Sequence, residues 1–156
     1  MVVSLPEMDR LNFHKDEAKQ KLAMTMGGKA AEILKYGEEG VSNGPAGDIM
    51  QASSLARAMV MRWGMSDKLG PVALEASGSD FLGNDQTWSG GGKPYSEATA
   101  SLADSEVKRI VNESWEEALG LLTRYRSELE LLTHALLERE TVDERDVLEI
   151  TGLSHV

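Results

Sequence analysis

The chain has 156 residues, no cysteine, and a formal net charge of −10 from 16 Lys and Arg against 26 Asp and Glu. The lack of Cys excludes disulfide scaffolds, thiol chemistry and Cys-ligated zinc ribbons, and the negative field repels phosphate backbones, so no nucleic-acid partner is expected. With 41 % apolar residues the chain can bury one sizeable core, yet no apolar run approaches the ~18 residues that span a bilayer, so it carries no direct membrane segment and reads as soluble.

Met1–Leu5 (Met-Val-Val-Ser-Leu) is apolar and β-branched and stops at Pro6, which predicts a short edge strand. From Asp16 to about Tyr36, Leu22, Met26, Ala30, Ile33 and Leu34 recur at three- and four-residue steps, the mark of a helix, and Gly37 closes it. Gly27 and Gly28 sit in its middle. Each costs a helix about 1 kcal/mol relative to Ala, so close approach of another backbone or a local kink is expected there.

Ser42–Gly47 (Ser-Asn-Gly-Pro-Ala-Gly) reads as a turn, and a second helix is expected from Asp48 to Trp63. Its buried stripe would be Ile49, Ala52, Leu55, Ala56, Met59, Val60 and Trp63. Gly70–Ser96 changes character: a short apolar piece, Pro71–Leu74, leads into a Ser-, Gly- and Asn-rich stretch. Ser77–Pro94 reads as a flexible Gly/Ser-rich surface loop or hairpin between two helical halves.

The remainder is helical. Val107, Ile110, Val111, Trp115, Ala118, Leu119 and Leu122 mark one long amphipathic helix, and Leu129, Leu132 and Leu136 a second. Val147, Leu148 and Ile150 mark a short third, with Asp143 as its N-cap. Short connections imply that neighbouring helices pack antiparallel or bend sharply. The fold class is therefore mainly α: a helical bundle of about five helices with a short N-terminal edge strand and a flexible loop.

The chemistry is sparse. His14, His134 and His155 are too far apart for any pair to share one helical turn, and H-E-x-x-H, P-loop and nucleophile-elbow motifs are absent. His14 and His155 read as exposed polar residues, and His134, among leucines, as a partly buried structural one. Asp48 reads two ways. At a helix start it caps free amides and favours the positive end of the dipole. Beside a Gly-rich turn it is also a rigidly held carboxylate with room for a ligand. One Asp cannot hold zinc, which takes three protein ligands in a catalytic site.

Several stretches together resemble the FtsH family of membrane-anchored, ATP-dependent zinc metalloproteases. They are Leu22–Gly37 with Gly28-Lys29-Ala30-Ala31-Glu32, Val41–Ile49 with Gly47-Asp48, and Ala52–Trp63 with Ala56-Arg57 and Met59-Val60. Further matches are Trp63–Pro71, Tyr95-Ser96-Glu97, Asp104-x-Glu106-Val107, and Leu136–Asp143. Met1–Pro6 is similar to the strand that borders the family's active site.

The resemblance implies that two His of an H-E-x-x-H helix and one later Asp bind zinc, while the Glu of that motif activates water. By position Asp48 matches the Asp ligand. Val2, Val3, Ser4 and Leu5 match the edge to which unfolded polypeptide substrates add as an extra strand. Glu32 is either a carboxylate bonded to a zinc-binding His or a solvated helix carboxylate. Residues 1–70 would then be the site-forming half, 71–96 a loop or hairpin, and 97–156 the C-terminal helices.

The H-E-x-x-H helix, the ATPase domain through which ATP acts, and the membrane anchor all stand upstream in the family and are not in this sequence. The general base is thus expected upstream of Met1. The chain alone is expected to bind zinc weakly and to leave peptides uncut. Family members form hexameric rings on the cytoplasmic side of the inner membrane, so a homo-oligomer is implied, while this chain by itself would be cytoplasmic. Two readings stand: part of an ATP-dependent zinc metalloendopeptidase that degrades unfolded and membrane proteins, or a stand-alone, catalytically dead interaction or regulatory module.

Overall fold

The computed structural model describes residues 14–40, 42–75 and 95–153. The strand expected at Met1–Leu5 and the Ser77–Pro94 loop lie outside these residues. Five α-helices occupy most of what is described: α1 (Lys15–Tyr36), α2 (Ala46–Met61), α3 (Glu97–Arg124), α4 (Arg126–Arg139) and α5 (Glu144–Thr151). Among the described residues there is no strand, and the mainly α expectation holds.

Local chemistry sets most helix ends. Asp16 and Glu17 lie in the first turn of α1 and Lys35 in its last, each at the dipole end that suits its charge. Gly37, at φ 75°, closes α1 by donating its N–H to Ile33 O at 2.8 Å. Ser96 Oγ accepts the Thr99 amide at 3.2 Å and opens α3. At α5 the expected Asp143 cap is present, accepting the Asp146 amide at 2.9 Å, while Asp146 accepts the Asp143 amide at 3.2 Å.

The second helix departs from expectation at both ends. It starts at Ala46, not Asp48, and stops at Met61, so Trp63 lies beyond it and is 43 % exposed. Pro45 accounts for the early start. Its ring fixes φ at −73°, already near the helical value, and Pro45 O accepts the Ile49 amide at 3.0 Å. Past α2, the expected short apolar piece folds back on the helix end: the Leu74 and Glu75 amides both donate to Met61 O, at 2.7 and 3.0 Å.

α1, α2 and α3 pack on one another. Leu22, Met26 and Ala30 meet Ala52, Ala56, Met59 and Val60, with Ala103, Ile110 and Ala118 from α3. Burying a side chain such as Leu22 or Met59 contributes about 1.5–3 kcal/mol each. The small residues at these contacts permit close helix approach.

α4 and α5 stand apart from this core. They pack on each other, and α4 meets α3 where the two join at the single residue Tyr125. No residue of α4 or α5 is buried, and Leu137 is 77 % exposed. The Leu129, Leu132 and Leu136 stripe is therefore real as a helical pattern but does not enter the core. His134 is exposed for the same reason, not partly buried as its leucine neighbours suggested. No helix of the described residues is long and apolar enough to cross a membrane.

Candidate metal centre

One face of α1 receives the segment that leads into α2. Glu32 holds the turn: the Ser42 N–H donates to Glu32 Oε2 at 3.0 Å, and the Ser42 hydroxyl donates to the same carboxylate at 2.9 Å. Ser42 Oγ in turn accepts the Gly44 amide at 3.1 Å. A Cβ at Gly44 would stand 3.1 Å from Ser42 Oγ and 3.8 Å from Glu32 Oε1, so a side chain there would press on the Ser42 hydroxyl that accepts the Gly44 amide.

Asp48 follows in the first turn of α2, half-exposed. It is not the N-cap, a position held by Pro45, whose residue type has no side-chain acceptor to offer. The Asp48 carboxylate therefore makes no cap bond, and among the described residues it has no hydrogen-bond or ion-pair partner. It leans over α1, where a Cβ at Gly28 would come 3.4 Å from Asp48 Oδ2. The close backbone approach expected at Gly27-Gly28 is not found: the nearest atom over Gly28 is this carboxylate oxygen, at ordinary contact distance for a Cβ. Gly27 faces open space.

An anionic oxygen with no partner, seated over a glycine at the positive end of a helix, suits one position of a zinc coordination sphere. It is one donor only. Among the described residues no group of three or more His, Cys, Asp or Glu is placed to hold a metal ion. His14 lies exposed at the start of α1, where its N–H donates to Glu17 Oε2 at 3.1 Å, and His134 is on α4. His155 and the residues Val2, Val3, Ser4 and Leu5 fall outside the described residues. The further donors that zinc requires are not supplied by α1–α5.

Sequence reasoning missed a second polar site. Glu106 on α3 is 1 % exposed and is enclosed by three partners. The Ser66 hydroxyl donates to it at 2.7 Å, Arg109 donates to both of its oxygens at 3.0 and 2.9 Å, and Lys68 Nζ lies 3.5 Å away. The Arg109 hydrogen bonds, with those of Ser66 and the Lys68 charge, outweigh burial and bring the Glu106 carboxyl down to about 2. This cluster ties the segment after α2 to α3. The spacing of Glu106, Arg109 and Glu113 was readable as helix-surface pairing, but Ser66 lies 40 residues away in sequence and gave no signal.

The model of Peptidase family M41 matches residues 1–150. The chain is 43 % identical over 148 residues to the ATP-dependent zinc metalloprotease FtsH of Syntrophus aciditrophicus, covering 95 % of this chain and 20 % of that protein. It is 45 % identical over 149 residues to the ATP-dependent zinc metalloprotease FtsH 4 of Sorangium cellulosum, covering 95 % and 22 %. The FtsH of Myxococcus xanthus is 44 % identical over 145 residues, covering 92 % and 22 %. The chain spans about a fifth of the length of these relatives.

Proposed function

This chain belongs to peptidase family M41, and from that premise we propose that it supplies the Asp ligand and the helical floor of a zinc metalloendopeptidase site. The observation that carries the reading is Asp48: a carboxylate without a partner among the described residues, seated over Gly28 at the mouth of α2.

Zinc, when bound, supplies a Lewis acid that brings a water's pKa toward neutrality and polarises the scissile carbonyl. The part played by this chain is to hold one ligand still. Asp48 offers an anionic oxygen whose negative charge the amides of the first turn of α2 favour. α1 backs it at Gly28, over which the carboxylate lies, and through Glu32, which holds the preceding turn. A Glu32 oxygen lone pair not used by Ser42 is the candidate acceptor for the ring N–H of an incoming His ligand. The other two zinc ligands and the general base, an H-E-x-x-H helix, belong to a segment outside these 156 residues. The chain alone is accordingly inactive as a peptidase.

The same reading assigns unfolded polypeptides as substrates, added by backbone hydrogen bonds along Val2–Leu5, with ATP acting through a separate domain. It also assigns assembly with further copies, in a hexameric ring on the cytoplasmic side of the inner membrane. The exposed Leu131, Leu136 and Leu137 on α4 support an assembled state, since a helix with this much uncovered apolar surface suits a contact between subunits.

The experiment is to isolate the protein as its gene encodes it and measure zinc content and cleavage of an unfolded protein. Asp48→Ala is expected to remove zinc and to lower cleavage by at least 100-fold, with Asp48→Asn falling between. Full zinc content and cleavage in Asp48→Ala would refute the assignment. A natural product no longer than these residues, bound to a family relative and free of zinc, would favour the interaction module instead.

A further inference from the structure

We propose that Ser42 is a positioning residue that fixes where the Asp48 carboxylate stands and thereby sets the affinity for zinc; the inference rests on the reading of Asp48 as a ligand. Ser42 joins two otherwise separate pieces. Its N–H and hydroxyl donate to Glu32, at 3.0 and 2.9 Å, and its Oγ accepts the Gly44 amide at 3.1 Å. Glu32 belongs to a 22-residue helix packed in the core, so it is a fixed anchor. Gly44 opens the turn that becomes α2.

Beyond Gly44 the entry to α2 is held by the burial of Pro45 and has no side-chain hydrogen bond of its own among the described residues. Pro45 provides no cap bond, and the turn is otherwise closed by backbone contacts, Ala46 N–H to Asn43 O at 3.1 Å and Ile49 N–H to Pro45 O at 3.0 Å. Asp48 rides on this unit. Its Oδ2 sits against Gly28, one helical turn before Glu32 on the same helix, about 6 Å along the axis. α1 therefore meets the 42–48 segment at two points: hydrogen bonds at Glu32 fasten the turn, and the Asp48 carboxylate rests over Gly28. Without the Ser42 hydroxyl, Gly44 loses its acceptor and Glu32 keeps one backbone donor. The turn then keeps one hydrogen bond to α1, from the Ser42 N–H, and the entry to α2 that carries Asp48 is held less firmly.

The test uses the protein as its gene encodes it, with Ser42→Ala, Ser42→Thr and Asp48→Ala compared by two readouts. One is amide hydrogen exchange over residues 44–50; the other is zinc affinity by chelator competition, read without any activity assay. Ser42→Ala is expected to speed exchange over 44–50, leave exchange in α3 unchanged, and weaken zinc roughly 10-fold, the scale at which outer partners of a ligand act. Ser42→Thr, which keeps the hydroxyl, is expected to restore both. Unchanged exchange in Ser42→Ala overturns the proposal. So does zinc affinity that survives Ser42→Ala but is lost in Asp48→Ala, an outcome that leaves the ligand reading intact. Zinc affinity unaffected by Asp48→Ala overturns the ligand reading and this inference with it.

Discussion

Glu106 illustrates what a buried charge demands at the scale of a single residue. A carboxylate removed from water persists as an anion only when its lone pairs and its charge are both answered. Arg109 and Ser66 answer the first, and Arg109 and Lys68 the second. Because the folded-state pKa, about 2, lies below the ordinary 4.5, the stabilisation is fully present above pH 4.5 and is lost as pH falls from there toward 2. A depression of that size is worth up to ~3 kcal/mol. Thermal unfolding followed by circular dichroism should show Tm dropping through that acid window. In Glu106→Gln, with no proton to gain, the slope there should flatten. An equal slope in both proteins would place the acid sensitivity elsewhere. Asp48 is the opposite case, a carboxylate left without a partner where a structural role would have supplied one.

At the scale of elements, the helices were legible wherever periodicity and end signals agreed. α1, α3 and α5 appear close to where Gly37, the Ser96 region and Asp143 put their ends. α2 was misplaced by two residues at each end because its start is set by the ring of Pro45, not by a side-chain acceptor, and because Trp63 continues the apolar period past the last helical bond. The glycine pair in α1 was legible as an anomaly but not as two different things. Gly28 faces Asp48, whereas Gly27 lines an open groove of about 280 Å³ between α1 and α3, beside Ala23, Met24, Ala118, Leu121 and Leu122. A methyl at Gly27 meets nothing within 4 Å. Gly27→Ala should therefore gain about 1 kcal/mol from helix propensity alone, read as a higher urea midpoint with an unchanged slope. A loss of stability would mean that the groove is filled by something the isolated helices do not show.

At the scale of the whole molecule, the five helices divide unequally. Three share a core, and two do not reach it. This division was not legible, because the leucine pattern of α4 has the same period as a core stripe; only contacts distant in sequence say which stripes are covered. The candidate site was legible in its residue types, Asp48 and Glu32, but the contact that joins them to one face, through Ser42 and Gly28, depends on how α2 lies on α1. A chain ended after Tyr125 should keep the helicity of α1–α3 and melt within a few degrees of the full chain. A collapse of Tm would show that α4 and α5 carry core stability after all.

The joint at Tyr125 also has a mechanical meaning. α4 leaves α3 across one residue, with the Arg124 guanidinium 5.3 Å from the Tyr125 ring centre. Its 14 residues make a rigid rod about 21 Å long. A change of about 20° at the joint would carry the far end through about 7 Å on the same helix geometry, without disturbing one core side chain. The molecule is thus a lever mounted on a block: the block holds Asp48, and the lever's angle is free to be set by whatever its leucines rest against.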